Sequence, residues 1–176
     1  SPSMPIFKPA VRIAPAIRNV QVSYLDGKPR VLAPGIEYKN FPKAGLTRKV
    51  NLPVKGAVHP GGKIRANQWK LADFNGDGRE DLIVGIGDWE DYGWDNAFNE
   101  QGEWTRGPLH GFVYFLKNTG TNEKPNYAKP IKLIADGQPV DVYGMPSPKL
   151  GEIDCDWEFA FVCGGVVEGV PFFPEN

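Results

Sequence analysis

A chain of 176 residues with 41 % apolar and 23 % charged side chains has the composition of one ordinary folded domain, which excludes an intrinsically disordered chain. No run of about 18 apolar residues occurs, so no membrane span is expected. A net charge of −1, with no Lys/Arg run interleaved with aromatics, excludes a recognised nucleic-acid module.

The 21 glycines and 17 prolines predict many turns and few long helices, hence an all-β chain. The charge is divided unevenly. Residues 1–70 carry 13 Lys and Arg against two Asp and Glu, whereas residues 71–176 carry seven against 19. Two oppositely charged halves that pack together account for this, and so does a basic face that receives an anionic ligand. Cys155 and Cys163 stand too close in one loop and strand for an easy intrachain disulfide, and are expected free or partnered elsewhere. Ser1 to Pro5 carry neither the basic nor the apolar region of a secretory leader.

In chain order, Ile17, Val20, Val22 and Tyr24 lead into Asp26-Gly27 and are followed by Arg30 to Leu32. This pattern predicts a hairpin whose turn reaches positive φ. Further strands are expected at Val50 to Val54 and Ile64 to Leu71, and no window in this region keeps a helical period. Residues 1–63 form a β-rich segment of unassigned type.

From residue 64 the chain repeats itself. Lys70-Leu71-Ala72-Asp73 through Gly85 aligns with Lys149-Leu150-Gly151-Glu152 through Gly164, an offset of 79 residues. Gly111 to Asn118 is answered, closer in, by Gly169 to Asn176. Each unit reads strand, acidic loop, strand, connection, aromatic strand, Asn-rich turn and a last strand such as Ile131 to Leu133. Four short antiparallel strands in a repeating unit predict β-propeller blades, one over 64–148 and a partial, degenerate one over 149–176. Two blades cannot close a ring that takes about four to eight. The remaining blades are therefore expected from a longer chain or from other chains.

The acidic loop carries the clearest chemistry. Asp73, Asn75, Asp77 and Asp81 stand at relative positions 1, 3, 5 and 9, with Gly78 at 6 and the Arg79 carbonyl at 7. Oxygens on alternate residues of a curling loop converge on one point, the cage that a hard cation such as Ca2+ requires. Magnesium would demand stricter octahedral geometry. A polar turn whose side chains only cap backbone amides is the plainer alternative.

Asp73 to Gly85, followed by Gly111-Phe112-Val113-Tyr114-Phe115-Leu116-Lys117-Asn118-Thr119-Gly120-Thr121, resembles an FG-GAP/VCBS repeat, the calcium-loop blade also found in integrin-α-type propellers. The resemblance covers residues 64–176. It implies a structural Ca2+ between the first two strands of a blade, and an extracytoplasmic protein that is secreted, periplasmic or at the cell surface. In the second copy Glu152, Asp154 and Asp156 keep oxygens, but Trp157 replaces the turn glycine and Ala160 the closing carboxylate. One occupied calcium site is expected, at Asp73 to Asp81.

An insertion at 86–110 separates the second and third strands of the first unit. It holds Trp89, Tyr92, Trp94 and Trp104 beside several carboxylates, residues that can cover sugar rings and accept their hydroxyls. The alternative is that these aromatics fold inward as the small core of a compact loop. His59 and His110, the two histidines, are weak candidates for a catalytic base, His59 standing near Lys63 and Arg65. No Gly-x-Ser-x-Gly, Cys/His metal cluster or phosphate loop occurs. The reading that results is a calcium-stabilised propeller segment binding extracellular glycans, acidic polysaccharide above all. A polysaccharide lyase and an adhesion propeller that binds extracellular protein are the alternatives.

Overall fold

Turn chemistry sets the first hairpin. In the computed structural model, which describes residues 6–12, 14–93, 97–151 and 160–164, strands β1 (Gln21–Leu25) and β2 (Lys28–Ala33) pair antiparallel. Asp26 and Gly27 join them at φ 49° and 68°, the positive-φ pair that matches the twist of a two-residue hairpin. Pro34 and Gly35 turn the chain into β3 (Ile36–Tyr38), and after a four-residue helix α1 (Phe41–Ala44) it returns as β4 (Lys49–Asn51). Residues 21–51 thus build a four-stranded antiparallel sheet in the order β1-β2-β3-β4. The strand expected at Val50 to Val54 stops at Asn51. Leu52 gives its N–H to the Gly35 carbonyl at 2.8 Å, and Pro53 has no N–H with which to continue a ladder.

A second four-stranded antiparallel sheet follows the same order: β5 (Ile64–Ala72), β6 (Asp81–Asp88), β7 (His110–Leu116) and β8 (Ile131–Lys132). The acidic loop joins β5 to β6, and the Trp-rich insertion joins β6 to β7 at the opposite end of the sheet. A small hairpin of β9 (Ile134–Ala135) and β10 (Gln138–Pro139) comes next, then the pair β11 (Ser147–Gly151) and β12 (Ala160–Gly164). Lys70, Leu71 and Ala72 pair with Ile83, Leu82 and Asp81. Lys149, Leu150 and Gly151 pair with Val162, Phe161 and Ala160. The repeat seen in the sequence is therefore also a repeat of strand register, residue for residue at the offset of 79.

Strand β6 is buried on both faces, and its alternation sorts its side chains between two cores. Leu82, Val84 and Ile86 join Leu32, Leu52, Trp69, Leu71, Tyr114 and Leu116 between the two large sheets. Ile83 turns the other way, with Val113, onto Phe74, Phe115, Leu133, Val140 and Val142. Each such side chain contributes about 1.5–3 kcal/mol by leaving water. Gly85 shares the face of Ile83 because the backbone of the segment before β11 crosses there: a Cβ at Gly85 would lie 2.5 Å from the Pro146 carbonyl oxygen. Glycine is what lets that segment approach. The architecture is all-β, with α1 as the one helix among the described residues.

Candidate functional sites

The acidic loop curls as its spacing predicts. Asp73 Oδ1 and Asn75 Oδ1 both accept from the Asp77 N–H, at 3.0 and 3.1 Å, while Asp73 Oδ2 accepts from Gly78 N–H at 2.8 Å. Gly76 and Gly78, at φ 70° and 79°, supply the sharp bends. Asp77 Oδ1 accepts from Arg79 N–H at 3.1 Å, and its Oδ2 lies 3.0 Å from the Lys117 ammonium. Asp81 is fully buried, accepting from Asn118 N–H at 2.7 Å and Phe74 N–H at 3.3 Å.

The donor set is oxygen throughout, which fits a hard cation. Among the described residues, however, no three His, Cys, Asp or Glu side chains are gathered as a ligand group. Asp81 is turned to backbone amides and Asp77 to Lys117. Burial pushes the Asp81 carboxyl above the usual carboxylate range; the amide hydrogen bonds pull it back, and the charges of Asp77 and Asp73 push it up again. Glu152, Asp154 and Asp156 of the second loop lie outside the described residues.

At the other end of β6 the insertion builds an aromatic cluster of its own. Tyr92 stacks on Trp104 with ring centroids 4.2 Å apart, and Trp89 and Phe98 meet this pair edge-on at 5.3 and 5.1 Å. An Asx turn at Asn99, whose Oδ1 accepts from Gln101 N–H and Glu103 N–H, closes the short hairpin that holds Phe98 opposite Trp104. The indole expected to be open at Trp89 is buried beneath the Arg65 guanidinium, 4.5 Å above its ring. Burying the ring against β5 removes more apolar surface from water than exposing it would. Tyr92 and Trp104 are half-buried, and Phe98 is 65 % exposed. Together with Gly107, Pro108, Leu109 and Tyr143, these three line an open cleft of about 300 Å³. Trp94 lies outside the described residues. Phe98 and Tyr143, missed by the sequence reading, complete the cleft; nothing but their aromatic character signalled them.

The two histidines converge on one end of the second sheet, each facing Phe112, at 6.2 Å from His59 and 5.2 Å from His110. His59 is only 6 % exposed. Its Nδ1 lies 2.7 Å from Tyr114 Oη, and its Nε2 3.0 Å from Asp88 Oδ2. In the neutral ring Nδ1 accepts from the Tyr114 hydroxyl and the proton sits on Nε2, which lies beside Asp88 without hydrogen-bond alignment; the tautomer is assigned from the Tyr114 contact. Burial lowers the His59 pKa below its ordinary 6.5, outweighing the pull of Asp88. Burial, with Asp88 second, pushes Tyr114 up to about 12 and keeps its phenol a donor. The pocket that His59 borders is walled by Leu52, Val54, Val58, Ile64, Trp69 and Ile86 among others, not by cations. Of the cations near His59, Arg65 lies over the Trp89 ring and Lys132 over the Phe112 ring.

A histidine kept neutral by burial stabilises the fold above pH 6.5, and that contribution is lost as pH falls toward its lowered folded value, because the unfolded chain binds the proton first. Urea midpoints measured from pH 7.5 to 5.5 should fall with a slope that flattens in His59→Gln. Equal slopes in the two proteins would remove His59 from the account.

His110 is more open. Its Nδ1 lies 2.5 Å from Asp141 Oδ2, and its Nε2 3.7 Å from Asp91 Oδ2. Asp141 also accepts from the Gly111 N–H at 2.9 Å, which fixes the carboxylate that orients the ring. No family model matches the chain, and no curated protein or solved structure matches it either.

Proposed function

We propose that this chain is a calcium-stabilised segment of a β-propeller of FG-GAP/VCBS type that binds extracellular glycans through the aromatic cleft of its insertion. The observation that carries the reading is the cleft itself: Tyr92, Phe98, Trp104 and Tyr143 line one open depression. Aromatic faces at a cleft mouth cover the C–H faces of pyranose rings, and flanking polar groups take their hydroxyls. Consecutive four-stranded antiparallel sheets with a repeated strand register support the propeller.

Charge narrows the ligand. Among the described residues of the insertion, Asp88, Glu90, Asp91, Glu100 and Glu103 stand against Arg106 alone. A polyanion meets repulsion there, so the cleft is assigned to a neutral glycan, in place of the acidic polysaccharide that the basic first 70 residues suggest. Retention on a panel of immobilised neutral and acidic polysaccharides tests this. Trp104→Ala should weaken retention on the neutral polysaccharide at least tenfold, or about 1.4 kcal/mol or more, in a protein that still unfolds cooperatively, and so should Tyr143→Ala at the more exposed wall of the cleft. Retention on no glycan, or equal retention by the variants, rejects the reading.

A glycan-degrading enzyme is the second reading, and the His110–Asp141 pair beside Leu109 of the cleft favours it. A carboxylate that orients an imidazole is the arrangement of a general base. Release of unsaturated or reducing ends, lost in His110→Ala while retention persists, would establish it.

A further inference from the structure

One cavity lies apart from the aromatic cleft, at the start of the acidic loop. It measures about 590 Å³ and is walled by Val22 to Asp26 of the first hairpin, by Lys70 to Asp73 and by Lys149. Lys70 and Lys149 occupy the same place in the repeat, opposite Ile83 and Val162. Stacking the units thus brings two equivalent lysines to one cavity.

Lys70 is 6 % exposed and donates to the Val22 carbonyl. Among the described residues neither lysine has a carboxylate within ion-pair distance, although Asp26 and Asp73 also border the cavity. Burial lowers the Lys70 pKa to about 8, with the charge and N–H groups of Lys149 pressing the same way. Two cations held together with one of them buried are costly unless an anion joins them. Ser23 adds a neutral donor: its Oγ accepts from Leu71 N–H at 2.9 Å, which leaves the hydroxyl proton to give.

We propose that this cavity is an oxyanion site, in which Lys70 and Lys149 are the two charged donors to a carboxylate or phosphate group and the Ser23 hydroxyl the neutral one. The volume falls in the range of small-molecule sites, roughly 300–1,000 Å³, so the group arrives on a compact acidic metabolite or a single acidic sugar. The site lies at the acidic-loop end of β5, away from the aromatic cleft, and stands or falls independently of glycan binding there.

Calorimetric titration of the 176-residue chain with inorganic phosphate and, separately, with glucuronate tests it at pH 7, with sodium chloride matching the ionic strength. One equivalent of at least one anion should bind. Lys149→Gln, at an exposed position that the fold tolerates, should weaken it at least tenfold. The bound anion should also slow acetylation of Lys70 by acetic anhydride several-fold relative to Lys28, read by peptide mass spectrometry. Binding of phosphate alone identifies a phosphoryl ligand, and binding of glucuronate identifies a carboxylate. Binding of neither anion, equal binding by Lys149→Gln, or no protection of Lys70 overturns the proposal.

Discussion

Replacing Glu37 with alanine should destabilise the protein by about 2–3 kcal/mol, the cost of removing a buried carboxylate that hydrogen-bonds two cations, one of which keeps Glu80. Glu37 is 2 % exposed on β3. Its Oε1 meets Arg30 Nε at 2.5 Å and its Oε2 meets Lys39 Nζ at 2.6 Å. Arg30 then reaches Glu80 through Nη1 at 2.6 Å, which ties the first sheet to the end of the acidic loop. Burial alone would raise the Glu37 pKa, but the hydrogen bonds and charges of Arg30 and Lys39 prevail and hold it below its ordinary 4.5. The sign follows from linkage: this contribution is present above pH 4.5 and is lost as pH falls through the lowered folded value. Urea unfolding at pH 7 should show the full loss in Glu37→Ala and a smaller one in Glu37→Gln, which keeps the volume and one acceptor. A change below about 1 kcal/mol, the range of an exposed pair, would mean that Glu80 alone satisfies Arg30.

Calcium is expected to raise the melting temperature, with about 2.7 kcal/mol gained at roughly 100-fold excess over Kd. The residues that would hold it are Asp73, Asn75, Asp77, Asp81 and the Arg79 carbonyl, and the ion would add positive charge where Asp77 alone meets a cation, Lys117. Asp81 is the informative member. Because burial and the charges of Asp77 and Asp73 raise its pKa, the stability it contributes is present below pH 3.8 and is lost as pH rises through the raised folded value. A cation offsets that loss, so the calcium response should be larger at pH 7 than at pH 4. Asp73→Ala should abolish the response, and chelator should return the wild type to its metal-free melting point. No response in millimolar calcium, or two equivalents of equal affinity, would refute the single-site reading.

Local chemistry was legible in the residues themselves. Asp26-Gly27 announced its hairpin because few other pairs reach positive φ twice in succession. The alternate oxygens of Asp73, Asn75 and Asp77 announced a curled loop, and the curl needs nothing beyond the loop's own amides. The first sheet was harder to read, because β3 and β4 are three residues each, too short for alternation to show. The aromatic insertion lay between two readings in the sequence; the fold combines them, burying Trp89 and leaving Tyr92, Phe98 and Trp104 around an open cleft.

The sequence by itself determined the all-β class, the repeat with its offset of 79 and the oxygen-rich loop, since these depend on turn propensity, alternation and spacing within a few residues. Only the tertiary structure decided which distant groups meet. Arg30 and Glu80 are 50 residues apart in the chain and His59 and Tyr114 are 55 apart, and Lys70 meets Lys149 across a whole repeat. Such pairings are fixed by how one twisted sheet lies on the next, and that depends on the summed burial of both faces of β6 and on the close approach that Gly85 permits, not on any local signal.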